Sequence, residues 1–198
     1  MMNKQNVRNL KIQLQLLNEI QKKKNHSQRS ISKELNIALG LVNSIIKKFV
    51  NKGFLKLSEA PMKRYFYYIT PKGLIEKVKL TRDFFKSSLE FYNIARNQYE
   101  QIFLKLKKQN PEKIFLLGTS EFAEIAILSA KINNISLDGI IHPKSKKKRF
   151  CDLRIEKSVN RSYEGNKKIF FIITDNKLKN DFRNKNLNLI TPDFLEVS

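Results

Sequence analysis

The chain has little of what holds small secreted domains together or builds metal sites. Among its 198 residues are one cysteine, Cys151, and two histidines, so an internal disulfide and a zinc knuckle are both excluded. No apolar run approaches about 18 residues, and the N-terminus lacks the apolar core of a signal peptide, so we expect no membrane span. A single thiol suits a reducing compartment, and together these absences predict a cytoplasmic protein.

Acidic residues are also scarce, with 18 Asp and Glu against 39 Lys and Arg, for a net charge of +21. The excess is uneven, because residues 1–110 carry 23 basic and 7 acidic side chains while residues 111–198 carry 16 and 11. An AT-rich genome would inflate Lys, Asn and Ile throughout, but it would not produce this asymmetry. A charge excess concentrated in one part of the chain predicts a polyanionic partner for that part.

Residues 27–56 have the pattern of a helix, a tight turn and a second helix. Ser27 is the predicted N-cap, because its hydroxyl can accept a hydrogen bond from a backbone N–H of the first turn. Ile31 and Leu35 lie one helical turn apart and predict the inward face of this helix. The turn is predicted at residues 36–38.

The second helix of the pair is predicted from about Leu39 to Asn51, with Gly53 following as the stop signal. Another apolar stripe predicts a preceding helix over residues 7–24, which completes a three-helix core. The inward face of the second helix is a stripe of apolar residues at helical spacing: Val42, Ile45, Ile46, Phe49 and Val50.

The outward face of this second helix is small and polar at its start and basic further on. A helix that enters the major groove needs short polar side chains to read bases and cations to bind phosphate. We therefore predict that Asn43 and Ser44 read base edges. The residues predicted to hold the DNA backbone are Gln28, Arg29, Lys47, Lys48, Lys63 and Arg64. The alternative is an ordinary amphipathic pair of helices with a solvated face.

Residues 54–57 and 65–69 predict two short strands around a turn, the second strand being aromatic and β-branched. Two strands directly after a recognition helix form a hairpin wing. Lys56, Lys63 and Arg64 on this wing are then available to phosphate or to the minor groove. The alternative is a structural hairpin whose cations are merely solvated.

Thr70 and Pro71 predict the cap and first residue of a helix that continues to about Lys108. About 38 residues of helix span roughly 57 Å, which is too long to be buried on a three-helix core. It should pack on a partner chain, on the second domain or on both, and we predict a homodimer held mainly by this helix. The alternatives are docking on the second domain within one chain, or two shorter helices with a break near residues 81–83. A heptad seam joins large and small residues along it: Val78, Phe85, Tyr92, Tyr99 and Leu106, with Thr81, Ser88, Ala95 and Ile102.

Asn110 and Pro111 mark the predicted end of the long helix, because the residue before a proline is biased away from helical conformation. A strand, a helix and a second strand then follow within about 30 residues, which is a βαβ unit and implies a parallel sheet. About 88 residues suffice for half of a doubly wound domain. The helix is predicted over residues 120–133 and the strands over 113–117, 137–141, 168–174 and 187–190.

A second concentration of charge lies inside the α/β part, where residues 144–149 read KSKKKR. Five cations in six residues favour a solvated loop. Contact with DNA phosphate is the alternative.

A glycine-rich dinucleotide fingerprint would lie after the first strand of the βαβ unit, but the sequence fits it poorly. Ser120 replaces the middle glycine, and Glu121 places a negative charge where a phosphate would bind the helix N-terminus. His142 stands where a ribose-binding carboxylate is expected. These residues favour a structural turn, the alternative being a small ligand other than a dinucleotide. The candidate ligand-binding residues are Gly118, Thr119, Ser120 and Asp175. No catalytic constellation is present, so we predict no enzymatic activity, cofactor or metal.

Three stretches carry a family resemblance: SQRSISKEL at 27–35, GLVNSIIKKFVNKGF at 40–54 and YFYYITPKGLIEKVKLT at 65–81. Residues 14–82 resemble MarR-type winged-helix regulators, in particular those associated with exopolysaccharide loci. The resemblance implies a bacterial transcription regulator that binds double-stranded DNA. Since winged helices usually act in pairs on half-sites, we also predict a homodimer. The sequence departs from the family pattern at Ala38, where a Ser or Thr cap is usual, and at Leu41, where a polar or basic residue is usual.

The part from Ile114 onward resembles, through GTSEFAE, the degenerate Rossmann-like half-domain that follows this winged helix in some bacterial regulators. It is similar too to segments of sugar acyltransferases and sugar-nucleotide enzymes. A small-molecule effector bound there, or a nucleotide-sugar enzyme module with the winged helix as an interaction platform, is what this resemblance implies. The predicted domains are a winged helix-turn-helix over 1–70, a linker or dimerisation helix over 71–109 and a Rossmann-like α/β domain over 110–198.

Overall fold

The computed structural model describes residues 4–22, 27–60 and 64–196, with side chains over 7–22, 27–58 and 66–196. It divides into two compact units, residues 1–90 and 91–198, and one helix contributes to both. The first unit contains α1 (Lys4–Lys22), α2 (Gln28–Leu35), α3 (Leu39–Asn51), β1 (Leu55–Ala60), β2 (Arg64–Ile69) and the first part of α4 (Pro71–Lys108).

Local signals set both ends of helix α2, as predicted. The Ser30 N–H donates to the Ser27 hydroxyl over 3.1 Å, so the predicted N-cap of α2 is confirmed. Asn36 then adopts the left-handed conformation (φ 50°) and ends the helix. The core is built by apolar residues of all three predicted helices and of the hairpin, among them Leu16, Leu17, Ile31, Val42, Phe49 and Leu55.

The hairpin after α3 is longer than predicted. Strands β1 and β2 pair antiparallel from Leu55 opposite Ile69 to Ala60 opposite Arg64. Residues 58–60 and 64 of the predicted turn at 58–64 are therefore strand, because the backbone pairing continues beyond Leu57 through two polar residues to Ala60. Alternation of apolar and polar residues reveals a strand only where apolar residues recur, so it cannot predict backbone pairing that involves consecutive polar residues.

Helix α4 begins and ends at the predicted residues, Pro71 and Lys108, and has no break near residues 81–83. Its start is locked to the end of α3. The Thr70 hydroxyl donates to the Gly53 carbonyl over 2.6 Å and accepts from the Gly73 N–H over 3.0 Å. A Cβ on Gly73 would overlap the Phe54 carbonyl oxygen, so only glycine permits this approach.

The predicted heptad seam of α4 is two different surfaces. Its C-terminal part, with Ala95, Tyr99 and Leu106, is fully buried in the core of the second unit. There the Tyr99 hydroxyl lies 3.3 Å from the Ile173 carbonyl, and burial raises the pKa of this phenol. Its N-terminal part, with Val78 and Phe85, is exposed. The C-terminal part of the seam therefore packs on the second unit, as the docking alternative expected, and what covers its N-terminal part stays a prediction.

The second unit is a six-stranded sheet with helices. It contains the end of α4, then β3 (Lys113–Leu117), α5 (Glu121–Ile132), β4 (Gly139–Ile141), β5 (Arg149–Phe150), β6 (Leu153–Glu156), β7 (Ile169–Ile173), α6 (Lys179–Phe182), β8 (Asn188–Ile190) and α7 (Asp193–Glu196). Single 3₁₀ turns lie at Arg161–Tyr163 and Asn176–Leu178. The predicted order of a winged helix, a long helix and a mainly parallel sheet with helices is confirmed.

The strand order in this sheet is β5-β6-β4-β3-β7-β8. The five adjacent strands from β6 to β8 are parallel, and only the edge strand β5 runs antiparallel, to β6. After β3 the chain places β4, β6 and β5 on one side of β3 and then β7 and β8 on its other side. The strand order therefore reverses between β3 and β7. Short strands of three to five residues fit five parallel strands into what the sequence suggested was half a domain.

Two of the six strands were not predicted. They are β5 and β6, at the edge of the sheet, directly after the lysine-rich loop. Their residues are mostly charged or half-buried, so they lack the apolar run that marked β3 and β7. In the described part of the chain, no helix combines the length and apolarity needed to cross a membrane.

Candidate nucleic-acid interface

Helix α3 presents one face to its own core and the opposite face to solvent. Val42, Ile45, Ile46 and Phe49 are buried, which fixes the rotation of the helix. The residues predicted to read DNA lie on the other face: Asn43 is half-buried, while Ser44, Lys47 and Lys48 are exposed. The structure therefore brings these four predicted residues together on a single exposed surface of one helix.

The start of α3 is bare. Ala38 occupies the N-cap position and makes no side-chain hydrogen bond to the first turn. The first backbone N–H groups of a helix carry partial positive charge and bind anions when no side chain caps them. Gly40 follows, and a Cβ built on it would meet nothing within 4 Å. The backbone at the start of this helix is thus open to close approach by another molecule.

Two leucines beside this bare start were not predicted to belong to the site. Leu39 and Leu41 are 41% and 39% exposed and flank the polar face on either side. Apolar side chains can contact the methyl group of thymine in the major groove. The signal was present in the sequence, since both leucines fall outside the buried stripe.

The two predicted residues on α2 have different surroundings. The Gln28 side-chain amide donates to the Tyr67 hydroxyl over 2.8 Å and thereby ties the start of α2 to strand β2. Arg29 is exposed. Sequence reasoning could not foresee the Gln28 bond, because its partner is 39 residues away. Gln28 positions the helix, and Arg29 is the residue of the pair with an exposed cation.

The wing offers one described cation. Lys56 on β1 is exposed, and its Cα pairs with that of Tyr68 on β2. Arg64 is the first residue of β2, but its side chain lies outside the described part of the structure. Lys63 also lies outside the described residues. The predicted wing contacts at these two positions therefore stay predictions.

The second predicted site, at the C-terminal ends of β3 and β7, is closed by its own hydrogen bonds. Gly118 has φ 112°, and a Cβ on it would lie 2.5 Å from the Asp175 Cβ. The Thr174 hydroxyl lies 2.9 Å and 3.0 Å from the Leu117 and Gly118 carbonyls. Glycine at this position is thus required by the close approach of the two strand ends.

The other predicted ligand residues at these strand ends are also engaged locally. The Ser120 hydroxyl donates to the Thr174 carbonyl and accepts from the Phe122 N–H, so it caps α5. The Asp175 carboxylate accepts from the Lys177 N–H over 3.0 Å and caps a 3₁₀ turn. Thr119 is half-buried. Among the described residues, no group of three His, Cys, Asp or Glu could hold a metal ion.

Residues 10–56 match the model of the family described as winged helix-turn-helix DNA-binding. The match runs from the middle of α1 through α2 and α3 into β1, and so contains the whole exposed face of α3. It covers about a quarter of the chain. No curated protein and no solved structure matches the chain significantly. The chain carries an N-terminal winged helix-turn-helix DNA-binding domain, which supports a DNA-binding regulator.

Proposed function

We propose that the protein is a MarR-type transcription regulator that recognises a specific DNA site in the cytoplasm and acts by binding alone, without enzymatic activity. The observation that carries this proposal is the outward face of α3. There a bare helix start, a short polar segment and two exposed lysines follow one another along a helix whose rotation is fixed by its core. Such an arrangement suits insertion into the major groove.

The residues on this face divide by chemistry. Asn43 can form two hydrogen bonds with adenine, and Ser44 can bond to any base edge. Leu41 can contact a thymine methyl group, which gives its exposed side chain a partner. Lys47 and Lys48 supply charge to the flanking phosphates, which fixes register without reading sequence.

Two substitutions separate the two kinds of contact. Lys47→Ala should weaken binding to all sequences and lower the slope of log Kd against log salt by about one. Asn43→Ala should instead cost about 1–3 kcal/mol and relax preference at one base position. Fluorescence anisotropy with DNA from upstream of the protein's own gene measures both. The matched control is Lys131→Ala, which removes an exposed helical lysine from the second unit.

Two results would contradict the proposal. If the wild-type chain does not bind its own upstream DNA at low salt, or if Lys47→Ala and Lys131→Ala have the same affinity and salt slope, α3 is not a DNA-reading helix. The platform alternative would then become the better explanation of the winged helix.

The proposal includes a homodimer, since single winged helices usually act in pairs on half-sites about one helical turn apart. Support comes from α4 within the first unit. Gly73, Leu80 and Ser87 are spaced by seven residues and form its buried face. The opposite face carries a stripe of large apolar residues at heptad spacing that is 50–73% exposed: Ile75, Val78, Phe85 and Leu89. We call this the α4 stripe and assign it to a second copy of the chain.

We infer further that the second unit is a Rossmann-like domain that serves as a sensor. Its five parallel strands, numbered from β3, follow the order 3-2-1-4-5 of that fold, in which ligands bind where the order reverses. The close approach of Gly118 to Asp175 argues against a dinucleotide there and leaves a smaller effector. A thermal-shift panel of nucleotides, coenzyme A and sugar nucleotides on the full chain tests for such an effector.

The chain resembles exopolysaccharide-associated regulators. The DNA upstream of polysaccharide biosynthesis genes is therefore the first place to look for an operator.

A further inference from the structure

The lysine-rich segment of the second unit belongs to a defined structural element. Residues 144–157, which we call the basic edge hairpin, run through an exposed loop into β5, turn, and return along β6 at the edge of the sheet. They contain seven Lys or Arg and two acidic residues, a net charge of +5. Residues 111–198 as a whole also carry +5, from 16 basic and 11 acidic side chains. Outside the hairpin, this region has as many acids as bases.

This distribution bears on the cause of the charge. An AT-rich genome would scatter surplus lysine over the whole surface, whereas the surplus here is confined to 14 residues. The other basic residues of the region are balanced, so they suit an ordinary solvated surface. The hairpin therefore has a local reason for its charge.

The cations of the hairpin are free to meet a partner. All seven are exposed: Lys144, Lys146, Lys147, Lys148, Arg149, Arg154 and Lys157. Within the described residues none has a carboxylate at ion-pair distance. Arg149 donates to the Asp152 carbonyl over 2.7 Å, which orients the guanidinium without neutralising it.

The backbone of the hairpin holds these charges close together at a cost. Arg149 and Arg154 are directly opposed across the β5–β6 ladder, and like charges at such positions repel. Cys151 and Asp152 both have positive φ, 45° and 68°, so the tight turn uses two residues that lack the freedom of glycine. An anion that sits between the arginines would relieve the repulsion.

We propose that the basic edge hairpin is a second DNA-binding surface, which binds the phosphate backbone of duplex DNA and so extends the contact made by the winged helix. The proposal rests on the DNA-binding function proposed for the first unit. Phosphate is the expected target because lysine acts as a point charge without base preference. Single-stranded nucleic acid fits less well, since the hairpin's only aromatic residue, Phe150, packs against the core instead of offering a stacking platform.

The test uses full-length protein and two duplexes that contain the same operator, one of about 20 base pairs and one of about 60. The variant is Lys146→Ala, Lys147→Ala and Lys148→Ala together, because these lysines precede β5 and leave its ladder intact. The control removes three exposed lysines elsewhere in the second unit: Lys167, Lys168 and Lys177. A third protein with arginine at 146, 147 and 148 keeps the charge.

On the long duplex, the alanine variant should lower the slope of log Kd against log salt by about two to three, as expected for three lost phosphate contacts. The control and the arginine protein should keep the wild-type slope. On the short duplex the alanine variant should still bind, because the site for α3 is unchanged. This pattern supports the proposal.

Equal slopes for wild type and the alanine variant on both duplexes would overturn this proposal and leave the function of the first unit intact. Absence of wild-type binding to either duplex would overturn both. Flotation with vesicles that contain phosphatidylserine tests whether the hairpin binds an anionic membrane surface instead of DNA. Vesicle binding that depends on Lys146–Lys148, with unchanged DNA slopes, would assign the hairpin to a membrane surface and also overturn the proposal. Aggregation of the alanine variant alone, with unchanged DNA slopes, would assign the lysines to protection of a sheet edge.

Discussion

Two glycines of the winged helix, both in helices, have opposite surroundings. Gly40 on α3 has open space where a Cβ would be, and Gly73 on α4 faces the Phe54 carbonyl. Alanine at 40 should raise the free energy of unfolding by up to about 1 kcal/mol, because glycine is the poorer helix former. Alanine at 73 should lower it by about 1–3 kcal/mol or more through overpacking. Urea unfolding of the two variants measures both.

DNA binding gives the pair a second readout. If the bare start of α3 approaches DNA, Gly40→Ala should weaken operator binding although the protein is more stable. A Gly40→Ala protein that is more stable and binds as tightly as wild type would show that the glycine serves no contact. A Gly73→Ala protein as stable as wild type would contradict the packing described at the start of α4.

At this scale, the sequence predicted what depends on near neighbours. Ser27 and Thr70 were recognisable as caps because an N-cap bonds within three residues along the chain. The sequence did not reveal the hydrogen bond from Gln28 to Tyr67, or that the approach of Asp175 leaves room only for glycine at position 118. Both depend on a partner brought close only by the tertiary fold.

Among the elements, α4 has bounds that the sequence predicted and a burial pattern that the sequence left open. Its bounds follow from a proline, a cap and a long run of helix formers, all readable locally. The burial of its seam does not, because Tyr99 packs on β7 whereas Phe85, fourteen residues earlier on the same predicted stripe, is 65% exposed. Heptad spacing indicates that one face of a helix is apolar, but it does not identify the surface against which that face packs.

The α4 stripe yields a prediction about assembly. Phe85→Glu should convert a homodimer of about twice 23 kDa into a folded monomer, because a carboxylate cannot be buried between two copies of the helix. Light scattering at micromolar concentration measures the mass. The matched control is Leu104→Glu, which changes an exposed leucine of the same helix outside the stripe. A monomeric wild type, or a dimeric Phe85→Glu protein, would end the assignment of the stripe to a second copy.

The β5–β6 hairpin shows the converse limit on element prediction. Strand β5 has two residues, and the alternation of apolar and charged residues in β6 lasts for only four, so backbone pairing at the sheet edge is what defines these strands. Its loop was correctly expected, but the ladder after it was not.

In the whole molecule, each of the two units has its own hydrophobic core. Phe49→Ala should cost about 3–5 kcal/mol in the first core, because Phe49 is among its largest fully buried side chains. Amide hydrogen exchange should then speed up across α1, α2 and α3, while the amides of β3 and β7 keep their protection. Equal acceleration in both regions would mean that the chain unfolds as a single cooperative unit.

Helix α4 also imposes a waiting time during synthesis. Tyr99 meets the Ile173 carbonyl, 74 residues further along the chain. At about 5–20 residues per second, a ribosome needs roughly 4–15 seconds to make that stretch. The winged helix, whose partners all lie within the first 90 residues, has been synthesised in full before this interval begins. During those seconds the nascent chain carries a DNA-binding unit whose core residues have all been made, followed by an apolar helix that nothing yet covers, which is the kind of segment that chaperones bind.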